Sequence, residues 1–130
     1  MNQLAFNGGS AIIGVICTYA FGQWTSLLGF LLLIIVVDYI TGIIASIKEK
    51  RGLSSEVGFW GLAKKGLMLL TIILAHRADV VFNTNFIMTG AIYFYLSNEL
   101  ISITENYGKI GLPLPEFIRK LLAILKDQNR

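Results

Sequence analysis

A chain of 130 residues in which 55 % are hydrophobic, only 15 % are charged and mean hydropathy is positive cannot cover a soluble globule with polar surface. It has room for three or four short membrane spans and none for a separate soluble domain. The net charge of +3 gathers in the loop at residues 48–65 and in the C-terminal tail, without a long basic tract carrying interleaved aromatics, which excludes nucleic acid as a partner and makes the charge a topology signal.

The predicted fold is an all-α integral membrane protein in a single domain over residues 1–130. About four transmembrane helices, near residues 4–22, 27–47, 61–82 and 86–103, precede a C-terminal cytoplasmic amphipathic helix near 115–127. The first segment is rich in glycine and small residues and breaks at Gly22-Gln23, so it reads as a span, with a tilted or interfacial placement as the alternative. No lysine or arginine stands between Met1 and Ser10, which is the wrong start for a cleaved secretory signal, and the segment is expected to be retained. Cys17 is the single cysteine, lies in an apolar run and is read as small apolar packing.

The second segment is almost unbroken hydrocarbon of spanning length, about 20 residues, with Asp38 inside it and Lys48-Glu49-Lys50-Arg51 at its end. An ionised carboxylate in a span costs about 2.5 to 3.5 kcal/mol on insertion scales, so Asp38 needs a partner, a watered face or a proton. It lies about two and a half helical turns before the cytoplasmic lysines, below the membrane centre. Small residues follow at Gly42, Ala45 and Ser46, where a neighbouring helix can come close. If Asp38 meets Lys64 or Lys65 across a helix pair it is structural; if it does not, it becomes a pore-lining or proton-sensitive candidate.

The third segment opens at Lys64-Lys65 and closes on His76, Arg77 and Asp79, with Gly58-Phe59-Trp60-Gly61 ahead of it read as a bend anchored at the membrane surface. His76 and Asp79 share a face, and Asp79 is expected to pair with Arg77 or His76 near the outer interface; no further ligands stand at a spacing suited to a metal. On the fourth segment Tyr95, Asn98, Glu99, Ser102, Glu105 and Asn106 recur at spacings of three and four and form one polar stripe. Such a stripe must avoid lipid, either against another helix or against water in an assembled pore.

Gly111-Leu112-Pro113-Leu114-Pro115 stops that helix, and a new one sets Phe117, Ile118, Leu121, Leu122 and Leu125 opposite Arg119, Lys120, Lys126 and Asp127. This tail can lie on the cytoplasmic leaflet, pack on a second copy or cap the bundle. The membrane-surface basic residues Lys48, Lys50, Arg51, Lys64 and Lys65, with Arg119 and Lys120 in the tail, place both regions in the cytoplasm, and four spans then put both termini there.

No catalytic residues, cofactor-binding residues or metal ligands are assigned. The chain has one histidine, no GxSxG elbow, no HExxH and no phosphate loop, so it is not expected to be an enzyme or to carry a cofactor. The candidate pore or inter-helix polar residues are Asp38, His76, Asp79, Tyr95, Asn98, Glu99, Ser102 and Glu105.

Three blocks in order carry a resemblance to a known family. They are Asp38-Tyr39-Ile40-Thr41-Gly42; Leu53-Ser54-Ser55 with Gly58-Phe59-Trp60-Gly61 and Lys64-Lys65; and the run YLSNELISITENYGKIGLPLPEFIRKLL from Tyr95 to Leu122. Across residues 27–122 the chain resembles the bacteriophage holins of the family that includes the clostridial toxin-secretion holins; Phe21-Gly22-Gln23-Trp24 is similar to the family's first turn. The resemblance implies a homo-oligomer in the host bacterial cytoplasmic membrane, in contact with membrane lipids. At a set time it opens pores or lesions through which an endolysin, or in secretion relatives a toxin, passes rather than binds, with an antiholin as a further possible partner. The alternatives from other classes are a small-solute or ion channel or transporter, in which Asp38, His76 and Glu99 handle ions, and an antiholin-like regulator that inserts without opening.

Overall fold

The structure is a computed structural model that describes residues 2–49 and 55–128. Five helices make up the described chain: α1 (Asn2–Phe21), α2 (Ser26–Lys48), α3 (Ser55–Phe82), α4 (Ile87–Ile110) and α5 (Glu116–Gln128), with no strand among the described residues. Of these, α1, α2 and α3 are long and apolar enough to cross a membrane. At 24 residues α4 is also of spanning length, and its polar stripe accounts for its lower hydropathy.

Local chemistry sets the boundaries. Thr25 caps α2, its Oγ1 accepting from the Leu28 amide at 3.1 Å, and Lys48 stands in the last turn, where a cation complements the exposed carbonyls. Gly111 ends α4 in the left-handed region (φ 94°), the amides of Gly111 and Leu112 both returning to the Tyr107 carbonyl at 3.0 Å, and the two prolines beyond prevent continuation. The turn between α3 and α4 places Asn83 at φ 54°, a conformation asparagine tolerates better than most residues.

One expectation is corrected. α3 starts six residues before residue 61, so Gly58-Phe59-Trp60-Gly61 is helical and not a bend. Its glycines face α2: a Cβ at Gly58 would lie 3.7 Å from the Tyr39 hydroxyl and one at Gly61 4.0 Å from the Tyr39 ring, so both stand where Tyr39 of α2 meets α3. α4 runs from Ile87 to Ile110, beyond the apolar segment that ends near Ile103, and carries Glu105 and Asn106 on the helix as the polar stripe predicts.

Packing centres on α4, which lies against both α2 and α3 and most extensively against α2; α1 rests on α3, and α5 returns to α4. One end of the α2–α3–α4 bundle holds the apolar core, where Leu28, Leu31 and Ile72 are fully buried and Ile34, Ile35, Ile92 and Leu96 close around them. The other end is polar inside. Outward faces show the reverse: Leu33, Val36, Ile40, Ile44 and Ile47 form an exposed stripe along α2, and Leu67, Leu70, Leu74 and Val81 do so on α3. Apolar outside and charged inside is the arrangement a hydrocarbon solvent requires.

Candidate functional site: a charged cluster between three helices

The polar end is built around Lys65. Its ammonium lies 2.7 Å from Asp38 Oδ2 on α2 and 2.6 Å from Glu99 Oε1 on α4, so one cation from α3 ties the other two helices together. All three side chains are withdrawn from solvent, at 16 % exposure for Lys65, 8 % for Asp38 and 7 % for Glu99. Asn106, about two turns further along α4, has its Nδ2 within 3.0 Å of Asp38 Oδ1, 3.2 Å of the Asp38 carbonyl and 2.9 Å of Thr41 Oγ1. The Thr41 hydroxyl in turn donates to the carbonyls of Val37 and Asp38 at 2.8 and 3.1 Å. Gly42 lies beside it, where a Cβ would stand in ordinary contact, 3.6 Å from Asn106 Nδ2.

Two carboxylates thus share one ammonium. Hydrogen bonds to charged groups are worth about 1.5 to 3 kcal/mol each, but withdrawing three charges from water costs several kcal/mol per ion, so the cluster does not repay itself as plain stability. Its gain is registry: each partner is on a different helix, so the shared contacts relate the three helices to one another. The cluster forms the floor of an open cleft of about 440 Å³ between the last turns of α2, the first turns of α3 and the last turns of α4. Ser102 lies on its wall with Tyr39 and Met68, and Glu49, Lys64 and Lys109 also line it.

The other candidate residues separate from this cluster. Asp79 pairs with neither Arg77 nor His76: its Oδ1 accepts from Thr84 Oγ1 at 2.6 Å and the Ile87 amide at 3.0 Å, and its Oδ2 from the Met88 amide at 2.9 Å, so it caps α4 from α3. Arg77 instead reaches α1, lying 3.9 Å over the Tyr19 ring and donating to the Tyr19 carbonyl at 3.4 Å. The His76 imidazole packs on Gly22, where a Cβ would fall 2.6 Å from it and φ is 71°, so any other residue there would be strained.

The polar stripe of α4 divides. Glu99 and Asn106 are buried in the cluster, Tyr95 packs on the apolar core, Asn98 is half-buried, and Glu105 faces out, 3.6 Å from Lys126 of α5. Of the basic residues, Lys64 is exposed, Lys48 reaches toward Gly111, and Lys120 lies 3.8 Å from Glu116 on the exposed α5, which also carries Arg119. Lys50 and Arg51, with Leu53 and Ser54, lie outside the described residues. Among the described residues no group of three or more His, Cys, Asp or Glu is gathered to hold a metal ion.

The fold defines a small all-helical protein with helices long and apolar enough to cross a membrane and one cluster of charge, Asp38, Lys65 and Glu99, turned inward. Residues 15–127 match the bacteriophage holin family, and the chain belongs to it. It is 39 % identical over 123 residues to an uncharacterised protein of Clostridium perfringens, covering 93 % of this chain and 90 % of the other. It is 42 % identical over 117 residues to an uncharacterised protein of Listeria monocytogenes, covering 89 % and 83 %. A protein of Bacillus phage phi105 described as a probable holin is 35 % identical over 112 residues, with 85 % and 82 % covered. No solved structure matches the chain.

Proposed function

We propose that this protein acts as a holin: it accumulates in the cytoplasmic membrane of a host bacterium, associates with copies of itself, and opens pores or lesions that let a cytoplasmic endolysin reach the wall. The observation that carries the reading is family membership across residues 15–127, the stretch that also holds the charged cluster. In this reading α1 to α4 span the bilayer, both termini are cytoplasmic, and α5 lies on the cytoplasmic leaflet with Phe117, Leu121 and Ile124 in the acyl boundary and Arg119 and Lys120 toward lipid headgroups.

The buried pairing refines how opening works. An isolated stripe of polar groups would drive association by seeking partners; here Glu99 and Asn106 find theirs within one chain, so a single protomer is a satisfied, closed unit. Opening then exchanges these bonds for contacts with water and neighbouring copies, which makes a concentration-dependent, abrupt transition physically natural. Antiholin association would act on the same exchange.

Inducing the chain in bacteria that hold a cytoplasmic reporter enzyme tests the reading. Sudden growth arrest with release of the enzyme is expected. Ion leakage without release would replace it with a small-solute channel, and insertion with no effect on growth would replace it with a regulator.

A further inference from the structure

We propose that the cleft between α2, α3 and α4 is a water-filled vestibule entered from the side of the basic loop, and that Lys65, held between Asp38 and Glu99, is the gate at its floor. The inference rests on the membrane reading above and deepens it by naming the path and the residue that closes it.

Three observations carry it. The cleft is open and encloses about 440 Å³, space on the order of ten water molecules, and its wall supplies the polar partners that water needs in Ser102, Asn106, Lys64 and Lys109. Its lining comes from the ends of α2 and α4 and the start of α3, so its mouth opens on the side that carries Lys48 in the last turn of α2 and Lys64 near the start of α3. Immediately past the floor the interior turns dry: Leu96 stands one turn from Glu99 on α4, and Leu31 and Ile72 are fully buried beyond it.

Lys65 sits at that boundary, and its position sets the sign of the force across the seam. In place, it attracts Asp38 and Glu99 together. Displaced toward the cleft, it leaves two carboxylates on different helices within one ammonium's reach of each other, and the seam between α2 and α4 becomes repulsive. Asn106 and Thr41 hold the α2–α4 contact on the mouth side, so the weakened point is the floor. A seam with two such states can extend water past the floor into the apolar half, which a graded deformation of packed helices would not do.

Thiol accessibility in membrane vesicles tests this, with Cys17→Ala as background and single cysteines at Ser46, Ser102 and Ala75. The probe is a cationic, membrane-impermeant methanethiosulfonate. In inside-out vesicles Ser46→Cys and Ser102→Cys should react at least about tenfold faster than the buried Ala75→Cys, and adding Lys65→Met should remove most of that difference while Lys65→Arg keeps it. Ser102→Cys as protected as Ala75→Cys would overturn the vestibule. Equal protection of Ala75→Cys with Lys, Arg or Met at position 65 would overturn the gate. Should Lys65→Met fail to accumulate, Asp38→Asn, which removes one of the gate's two anchors, replaces it and must likewise raise the reactivity of Ala75→Cys. The holin reading fails separately: a chain that inserts, shows this ladder of reactivity and never releases the reporter enzyme is not a holin but keeps its vestibule. The same ladder found only in right-side-out vesicles would reverse the orientation and leave the vestibule in place.

Discussion

The two halves of the α2–α3–α4 bundle are built on the same three helices yet held by opposite chemistry. At the end nearest the α3–α4 turn, Leu28, Leu31, Ile72 and Ile92 interlock in a dry core, and Asp79 fastens the turn by capping α4. At the end nearest the basic loop, an ammonium, two carboxylates, an amide and a hydroxyl occupy the same inward positions beside an open cleft. In lipid an apolar core gains little from leaving its solvent, since acyl chains are as apolar as leucine, and it holds by close packing. The charged half gains directional bonds instead, at the cost of buried charge. One half is suited to staying shut, the other to changing partners.

Substitutions can break or sharpen this contrast. The largest effect is expected from Lys65→Met, which strands two buried carboxylates: about 3–5 kcal/mol lost, read as a large fall in the thermal midpoint in mild detergent. Ile72→Ala in the dry half should cost about 2–3 kcal/mol by leaving a cavity, without admitting the impermeant thiol probe; a watered cavity there would erase the distinction between the halves. Asn106→Ala removes the amide that bridges Asp38 and Thr41 and should cost about 1–2 kcal/mol, with a smaller change in lysis onset than Lys65→Met. Glu105→Gln loosens only the exposed 3.6 Å contact to Lys126 and should stay below about 1 kcal/mol; a larger loss would mean that α5 belongs to the bundle and not to the membrane surface.

Much of the fold was legible because the apolar segments are long and the stops are strong: Gly22, the asparagines of the α3–α4 turn and Gly111 with its two prolines end the helices where they were expected to end. The helical extent of residues 55–60 was not, because two glycines flanking two aromatics fit a surface bend as well as a close helix contact, and only the position of Tyr39 decides between them. In the site, the cost of an acid in a span required a partner for Asp38 and made Lys64 and Lys65 the candidates. The choice between them was also present in the sequence. Positions 58, 61, 65, 68, 72, 75 and 79 alternate spacings of three and four, and Gly58, Gly61, Met68, Ile72 and Ala75 mark that seam as the inward one, so Lys65 faces in and Lys64 faces out. Asn106 was visible as part of the α4 stripe, but its bridging role depends on the rotation of α4 against α2, which brings its amide to Asp38 and Thr41. The Asp79 cap was hidden because two of its three partners are backbone amides, which carry no side-chain signature, and the third, the Thr84 hydroxyl, comes within reach only once the turn has formed.

The central claim is that the charged cluster holds a holin protomer closed, and a mutant cycle on the onset of reporter-enzyme release tests it most directly. Lys65→Met is expected to advance the onset, and adding Asp38→Asn should restore part of the delay by removing one of the two stranded carboxylates, a coupling of about 1 kcal/mol or more when expressed as free energy. Independent, additive shifts from the two substitutions, or an onset unmoved by either, would contradict the account.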